Sequence, residues 1–176
     1  MKRRSKNELN FVIDKLTNSI QNTISGDSFE TVVHRFLSID VRKVGRRNGW
    51  QFDWKAELKD NRYDVFKLVI SNSDEVIQGL ISLEQRTDHV FINLLENAPF
   101  NIGSKKVYKG VAANLIAYAC KISLNMGCNG NVSFFAKTKL IEHYIEKLGA
   151  TWLGGQRMAI TDQSASRLIE NYFNKK

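Results

Sequence analysis

The feature that most restricts how this chain can fold is a double change of apolar period between Tyr63 and Ala136. From Tyr63 to Leu95 the apolar residues occupy both alternating sets. Val65 and Val69 alternate with Phe66, Leu68 and Ile70, Leu80 with Ile81, and Val90, Ile92 and Leu94 with Phe91 and Leu95. Strands that are apolar on both faces lie inside a sheet covered on two sides. The spacing then becomes helical, with Val111, Ala112, Leu115, Ile116, Ala119, Ile122 and Met126 on one stripe between Gly110 and Gly127. It returns to two at Val132, Phe134 and Ala136. A strand, helix and strand of these lengths imply parallel or nearly parallel neighbours joined by a right-handed crossover.

The remaining elements follow from the same signals. Leu9, Val12, Ile13, Leu16 and Ile20 fall at helical spacing and predict a first helix that stops at Gly26. Residues 31–39 read as a strand, whereas 41–59, with Gly45, Gly49, Trp50 and Trp54, carry no decisive period. Residues 63–70 and 76–85 form a hairpin around Ser71-Asn72-Ser73-Asp74, and 89–95 add a third strand. A loop follows at 96–104, with the single proline, Pro99. A second helix places Leu140, Ile141, Tyr144, Ile145 and Leu148 on one face and ends at Gly149, where a left-handed cap is expected. Residues 150–160, split by Gly154-Gly155, read as a hairpin, and 164–173 as a closing helix. The expected class is α+β in three layers, a mixed central β-sheet flanked by helices. One domain covers 1–176, with a variable N-terminal part (1–60), a core (61–160) and a closing helix (161–176).

Composition narrows the partners. No stretch approaches the roughly 20 apolar residues that cross a bilayer. The basic start, Lys2, Arg3, Arg4 and Lys6, runs into Asn7-Glu8-Leu9-Asn10 instead of an apolar signal core, which points away from export and to the cytoplasm. Cys120, in a helical pattern, and Cys128, in a Gly/Asn turn, read as reduced thiols, not as metal ligands or nucleophiles. Three scattered histidines make no metal site. The formal charge of +8 is concentrated in the tail, in Arg42, Lys43, Arg46 and Arg47 around Gly45, and in Lys105, Lys106 and Lys109. The first two clusters lack an aromatic basic stripe, so solvated surface is favoured over nucleic-acid binding. The third flanks a glycine at a helix start, where free amides and the helix dipole favour an anion.

The order of elements, the stretch Val107-Tyr108-Lys109-Gly110-Val111-Ala112 and the stretch His143-Tyr144-Ile145-Glu146-Lys147-Leu148-Gly149-Ala150 together resemble the GNAT superfamily of acyl-CoA-dependent N-acyltransferases. The first stretch matches the Gly-x-Ala half of that family's Gln/Arg-x-x-Gly-x-Gly/Ala loop, with Val107 where Gln or Arg stands. The second is similar to its Tyr-Glu-Lys-x-Gly-Phe signature, and Lys137 stands where an Asn is often found, seven residues before the tyrosine. The resemblance covers residues 63–160.

The resemblance implies a GNAT-like fold and transfer of an acetyl group from acetyl-CoA, the cosubstrate, to a primary amine. Amides of Lys109, Gly110, Val111, Ala112 and Ala113 at a helix N-terminus can point at the pyrophosphate, Gly110 permits close approach and Lys109 adds a charge. Strands ending at Leu95 and Ala136 would diverge to admit the pantetheine arm, with Lys137 beside it. Amide formation needs a neutral amine. Glu96 is the first candidate base, because burial beside Leu95 and Pro99 would raise its pKa. Glu84, placed by alternation with Leu80 and Ser82, is the second. Coenzyme A leaves as a thiolate, and Tyr144 occupies the family position that protonates it. An amide near Leu95 or Asn97 would polarise the thioester carbonyl. Each residue also has a purely structural reading: Gly110 as a helix start, Tyr144 as a core aromatic, Glu96 as a loop carboxylate. The acceptor, a small-molecule or peptide amine, is built for largely by the N-terminal part. Alternatives are an RNA-directed enzyme acting on aminoacyl-transfer RNA and a non-catalytic coenzyme A module. No membrane partner is expected, and the oligomeric state stays open, a dimer included.

Overall fold

The computed structural model describes residues 7–15 and 19–173, in which ten strands join one mixed sheet. The strands are β1 Glu8–Leu9, β2 Ser19–Asn22, β3 Ser28–Arg35, β4 Asp64–Ile70, β5 Gly79–Gln85, β6 Val90–Asn97, β7 Tyr108–Lys109, β8 Val132–Ala136, β9 Thr151–Trp152 and β10 Arg157–Ile160. The helices are α1 Trp54–Lys59, α2 Val111–Asn125, α3 Ile141–Leu148 and α4 Asp162–Phe173. Across the sheet the order is β7-β2-β3-β4-β5-β6-β8-β10-β9, with β1 attached to β8. Neighbours from β2 to β6 are antiparallel, and β6 and β8 are parallel, joined over one face by α2. This is the crossover that the change of period requires.

The two-sided apolar pattern of the central strands has its counterpart in two cores. On one face Phe66, Leu68, Ile81, Leu83, Val90, Ile92 and Leu95 pack against α2, α3 and α4. On the other, Val65, Leu80 and Leu94 pack under Phe36, Val44, Trp50 and Trp54. The lid over this second core is tied down by a buried ion pair, Lys67 Nζ to Asp40 Oδ1 at 2.8 Å.

One irregularity in β6 sets up the site. Leu83 pairs with Ile92 but Ser82 with Leu94, so Asn93 is an extra residue opposite β5. Such a bulge bends its strand and strengthens the local twist. It also moves Leu94 to the face of Leu80 and Trp54, and Leu95 to the face of Ile81 and α2.

Two expectations are corrected, and one undecided segment takes a definite form. Residues 9–15 and 19–20 are not helical: β1 is followed by 10–15 without a regular element but with alternating burial from Leu9 to Ile13, β2 begins at Ser19, and Gly26 belongs to the turn between β2 and β3. Leu16, and the basic tail Lys2, Arg3, Arg4 and Lys6, lie outside the described residues. The strand expected at 31–39 spans Ser28–Arg35, because its ladder to β4 ends at Arg35–Phe66. The undecided segment 41–59 becomes two 3-10 turns, Ser38–Lys43 and Arg46–Asn48, followed by α1. Arg42, Lys43, Arg46 and Arg47 thus sit on turns of the second-core lid.

Candidate active site

β6 and β8 are bonded only at their starts, at Val90–Val132 and Phe91–Ser133. Beyond the Asn93 bulge they part, which leaves a notch open toward the ends of both strands. Ala98 N–H donates to Gln78 O on the β5 side, and strand alternation turns the amides of Asn97 and Leu95 to the opposite edge, toward the notch. The other edge of β8 is filled by β10, so β1 must lie on the edge that faces β6. It does so in parallel register, Glu8 with Phe135 and Leu9 with Ala136, and Lys137 N–H donates to Leu9 O at 3.1 Å. At its start Asn7 Nδ2 donates to Asn93 Oδ1 at 3.3 Å.

Past β1 the extended segment meets α3. The Tyr144 hydroxyl, fully buried, donates to Phe11 O at 2.7 Å and accepts from Phe11 N–H at 3.1 Å. Burial pushes this phenol far above its ordinary value, so it remains protonated. Ile13 N–H donates to His143 Nε2 at 2.8 Å, which fixes that ring as the neutral tautomer with its proton on Nδ1. His143 is held below its ordinary value by burial and then by the Lys147 charge. Leu9, Phe11 and Ile13 point into the first core, while Asn10 and Val12 face outward.

The segment ends at the start of α2. Gly110 has φ +95°, a conformation in which a Cβ would also come within 3.1 Å of Ser19 O, and its N–H donates to Asp14 Oδ1 at 2.8 Å. Lys106 Nζ reaches Asp14 Oδ2 at 2.7 Å. Val111, Ala112 and Ala113 form the buried first turn of α2. Lys109 ends the short strand β7, beside β2, and its charge adds to burial in lowering the Lys15 ammonium from its ordinary value. The helix start expected to meet a diphosphate thus holds a carboxylate of the same chain, ringed by Lys15, Lys106 and Lys109.

On the opposite face of the notch stands Glu96, paired with Leu80 at the splayed end of β6. Its carboxylate accepts from Gln51 N–H at 2.6 Å, Phe52 N–H at 3.3 Å and Trp54 Nε1–H at 2.7 Å, so it pins the segment before α1. A cavity of about 230 Å³ lies here, with Gln51, Phe52, Leu95, Glu96 and Asn97 among its walls and residues 8–12 closing one side. Asn97 Oδ1 is buried on this strand end and has no hydrogen-bond partner. Glu84 is not brought to the notch. It pairs with Phe91 at the other end of the β5–β6 ladder and binds Arg86 at 3.1 Å. Alternation does put it in line with Ser82 and Leu80, but Leu80 is the residue opposite Glu96, and Glu84 lies four residues, about 13 Å, further along β5. The Ser82 hydroxyl instead bonds Glu57 of α1, which also accepts from Asn93 Nδ2 at 2.5 Å.

Leu95 and Glu96 thus line the cavity, while Tyr144, Lys137 and Gly110 each bond the segment 9–14, part of which closes one side of it. The sequence reading missed Phe11, Ile13, Asp14, His143, Gln51 and Trp54. Only the alternation of Leu9, Phe11 and Ile13 could have announced the first three. Among the described residues no group of His, Cys, Asp and Glu could hold a metal ion. Burial raises the Cys120 thiol to about 12, which removes it as a nucleophile.

No protein-family model matches the chain, and no curated protein matches it in sequence. Solved structures match it in fold. Mutant forms of the spermidine/spermine N-acetyltransferase of Vibrio cholerae align at 15% identity and a TM-score of 0.57, over 78% of this chain and 96% of theirs. The spermidine N-acetyltransferase of Vibrio cholerae in complex with CoA and spermine aligns at 15% identity and 0.52, over 77% and 98%. A dodecameric form of that enzyme aligns at 16% identity and 0.51, over 82% and 96%. The chain has the fold of the GNAT N-acetyltransferases.

Proposed function

We propose that this chain transfers an acetyl group from acetyl-coenzyme A to a primary amine by direct transfer. The observation that carries the reading is the notch between β6 and β8, whose edges bond an extended chain on one wall and whose far end offers a helix N-terminus to an anion. Both features suit a peptide-like arm that ends in a diphosphate. Acetyl-coenzyme A supplies the activated acyl group as a thioester. The residues of this chain supply the rest. Gly110 N–H, Lys106 and Lys109 bind the phosphates. The amides of Leu95 and Asn97 face the place where the acyl oxygen gains charge.

Glu96 takes the proton from the acceptor ammonium. Among the described residues its Oε1 accepts one N–H, from Gln51, and a carboxylate oxygen has room for a second. The 230 Å³ cavity beside it fits a slender alkylamine, drawn as a cation toward the carboxylate and packed against Phe52. Tyr144, kept protonated by burial, delivers a proton to the departing thiolate. Acceptors of the polyamine kind, which the neighbouring structures name, belong to this class.

The test is release of free thiol from acetyl-coenzyme A over an acceptor series running from alkylamines and polyamines to peptides and aminoacyl-transfer RNA. Amine-dependent release is expected, with Glu96→Gln lowering kcat by about 10²–10⁴-fold and leaving coenzyme A affinity nearly unchanged. Coenzyme A binding without release for any amine would reduce the chain to a cofactor-binding module. Failure to bind coenzyme A at all would remove the reading.

A further inference from the structure

We infer that residues 8–15 form a strap that occupies the chain's own acyl-coenzyme A slot and must leave before the cofactor enters. The inference rests on the proposed acyl transfer, because that reading says what the slot is for. The strap makes the contacts that the reading assigns to the cofactor. Its main chain lies in the notch along β8, its Phe11 peptide saturates Tyr144, and its Asp14 carboxylate takes Gly110 N–H and Lys106. From Leu9 to Asp14 an extended chain spans about 17 Å, from the floor of the notch to the start of α2.

The two occupants exclude one another at a single atom. A phenol has one hydrogen, and that of Tyr144 is given to Phe11 O. It cannot serve a thiolate until Phe11 has moved. At the other end the balance of charge favours exchange. Asp14 brings one negative charge to a site ringed by Lys15, Lys106 and Lys109, and Lys15 is already depressed by burial and by Lys109. A ligand with several phosphate charges satisfies these cations better than one carboxylate does. The strap is thus a latch that coenzyme A itself opens, and apparent affinity is reduced by the fraction of molecules in which it is shut.

Hydrogen exchange of the full chain with and without coenzyme A tests this, together with titration of Asp14→Asn. Coenzyme A should protect the first turn of α2 while speeding exchange at Phe11 and Ile13, and Asp14→Asn should lower the apparent Kd for coenzyme A by about tenfold. If coenzyme A binds while Phe11 and Ile13 stay as protected as before, the strap is a fixed part of the fold and the inference is overturned, whatever the variant does. If neither the natural chain nor Asp14→Asn binds coenzyme A, it is the acyl-transfer reading that fails.

Discussion

The meander β4 to β6 and the strap 8–15 both bury apolar side chains in the same core, yet they are held in different ways. In the meander β4 and β5 are bonded along their length to strands on both sides, β6 along its length to β5, and their residues alternate between two cores. The strap has one short ladder, to β8, and otherwise hangs on single groups: Tyr144, His143, Lys106, the Gly110 amide, Tyr172 on Lys15 O, and the Lys15 ammonium on Ser19 and Ser28. Leu9, Phe11 and Ile13 are as buried as the strand residues beneath them, at 2%, 6% and 3% exposure. Burial alone therefore does not measure how firmly a segment belongs to a fold. What counts is whether another molecule could supply the same bonds, and for the strap one can.

The contrast can be broken most directly by two truncations. Leu83→Ala, in the middle of β5, should cost about 2–5 kcal/mol of global stability, read as a lower urea midpoint with an unchanged slope. Phe11→Ala removes a larger side chain, one stacked 5.1 Å from Tyr144. Its effect on the same midpoint should stay below about 1 kcal/mol, because a segment that opens locally bounds the loss by its own opening energy. Equal losses from the two would show that the strap unfolds with the sheet, and the distinction would vanish.

A gentler probe is pH. In the closed strap His143 accepts a hydrogen bond, and burial, then Lys147, hold it below its ordinary 6.5, opposed by Glu146 and by Asp14 from the strap. With the closed-state value lowered, the hold on the strap is complete above 6.5 and declines as pH falls through the lowered value. Exchange at Ile13 should accordingly quicken on acidification across that window, and His143→Gln, which keeps an acceptor but cannot titrate there, should flatten the change. An identical pH response in the variant would assign the effect to other groups.

The meander was legible because its pattern admits one solution: apolar residues on both alternating sets can only be buried between two layers. The Gly110 and Gly149 boundaries of α2 and α3 were legible for a related reason, since Gly149 takes φ +65° as a left-handed cap should. Glu96 at the end of its strand and Tyr144 on the inner face of α3 could be placed by counting from these elements. The strap could not. Leu9, Val12, Ile13 and Leu16 fit a helix, while Leu9, Phe11 and Ile13 fit a strand, and the same residues serve both. The tie is broken by acceptors and donors more than a hundred positions away, at Tyr144 and His143, which local period does not contain. Glu84 failed for a different reason: alternation gives the face of a strand residue but not its distance from the notch, and Glu84 lies at the far end of the β5–β6 ladder from Glu96.

Asn93 has a consequence for how this cleft could be altered. Deleting it would let β6 regain an unbroken ladder with β5, which by itself favours a flatter and more regular sheet. The same deletion would leave Leu94 opposite Ser82, Leu95 opposite Ile81 and Glu96 opposite Leu80, so the acid would keep its face while the strand lost its bend and the Asn93 bonds to Asn7 and Glu57. One surplus residue thus acts as a wedge in the strand, and a chain that lost it would have a neater scaffold with its acid in place but less bend to part β6 from β8.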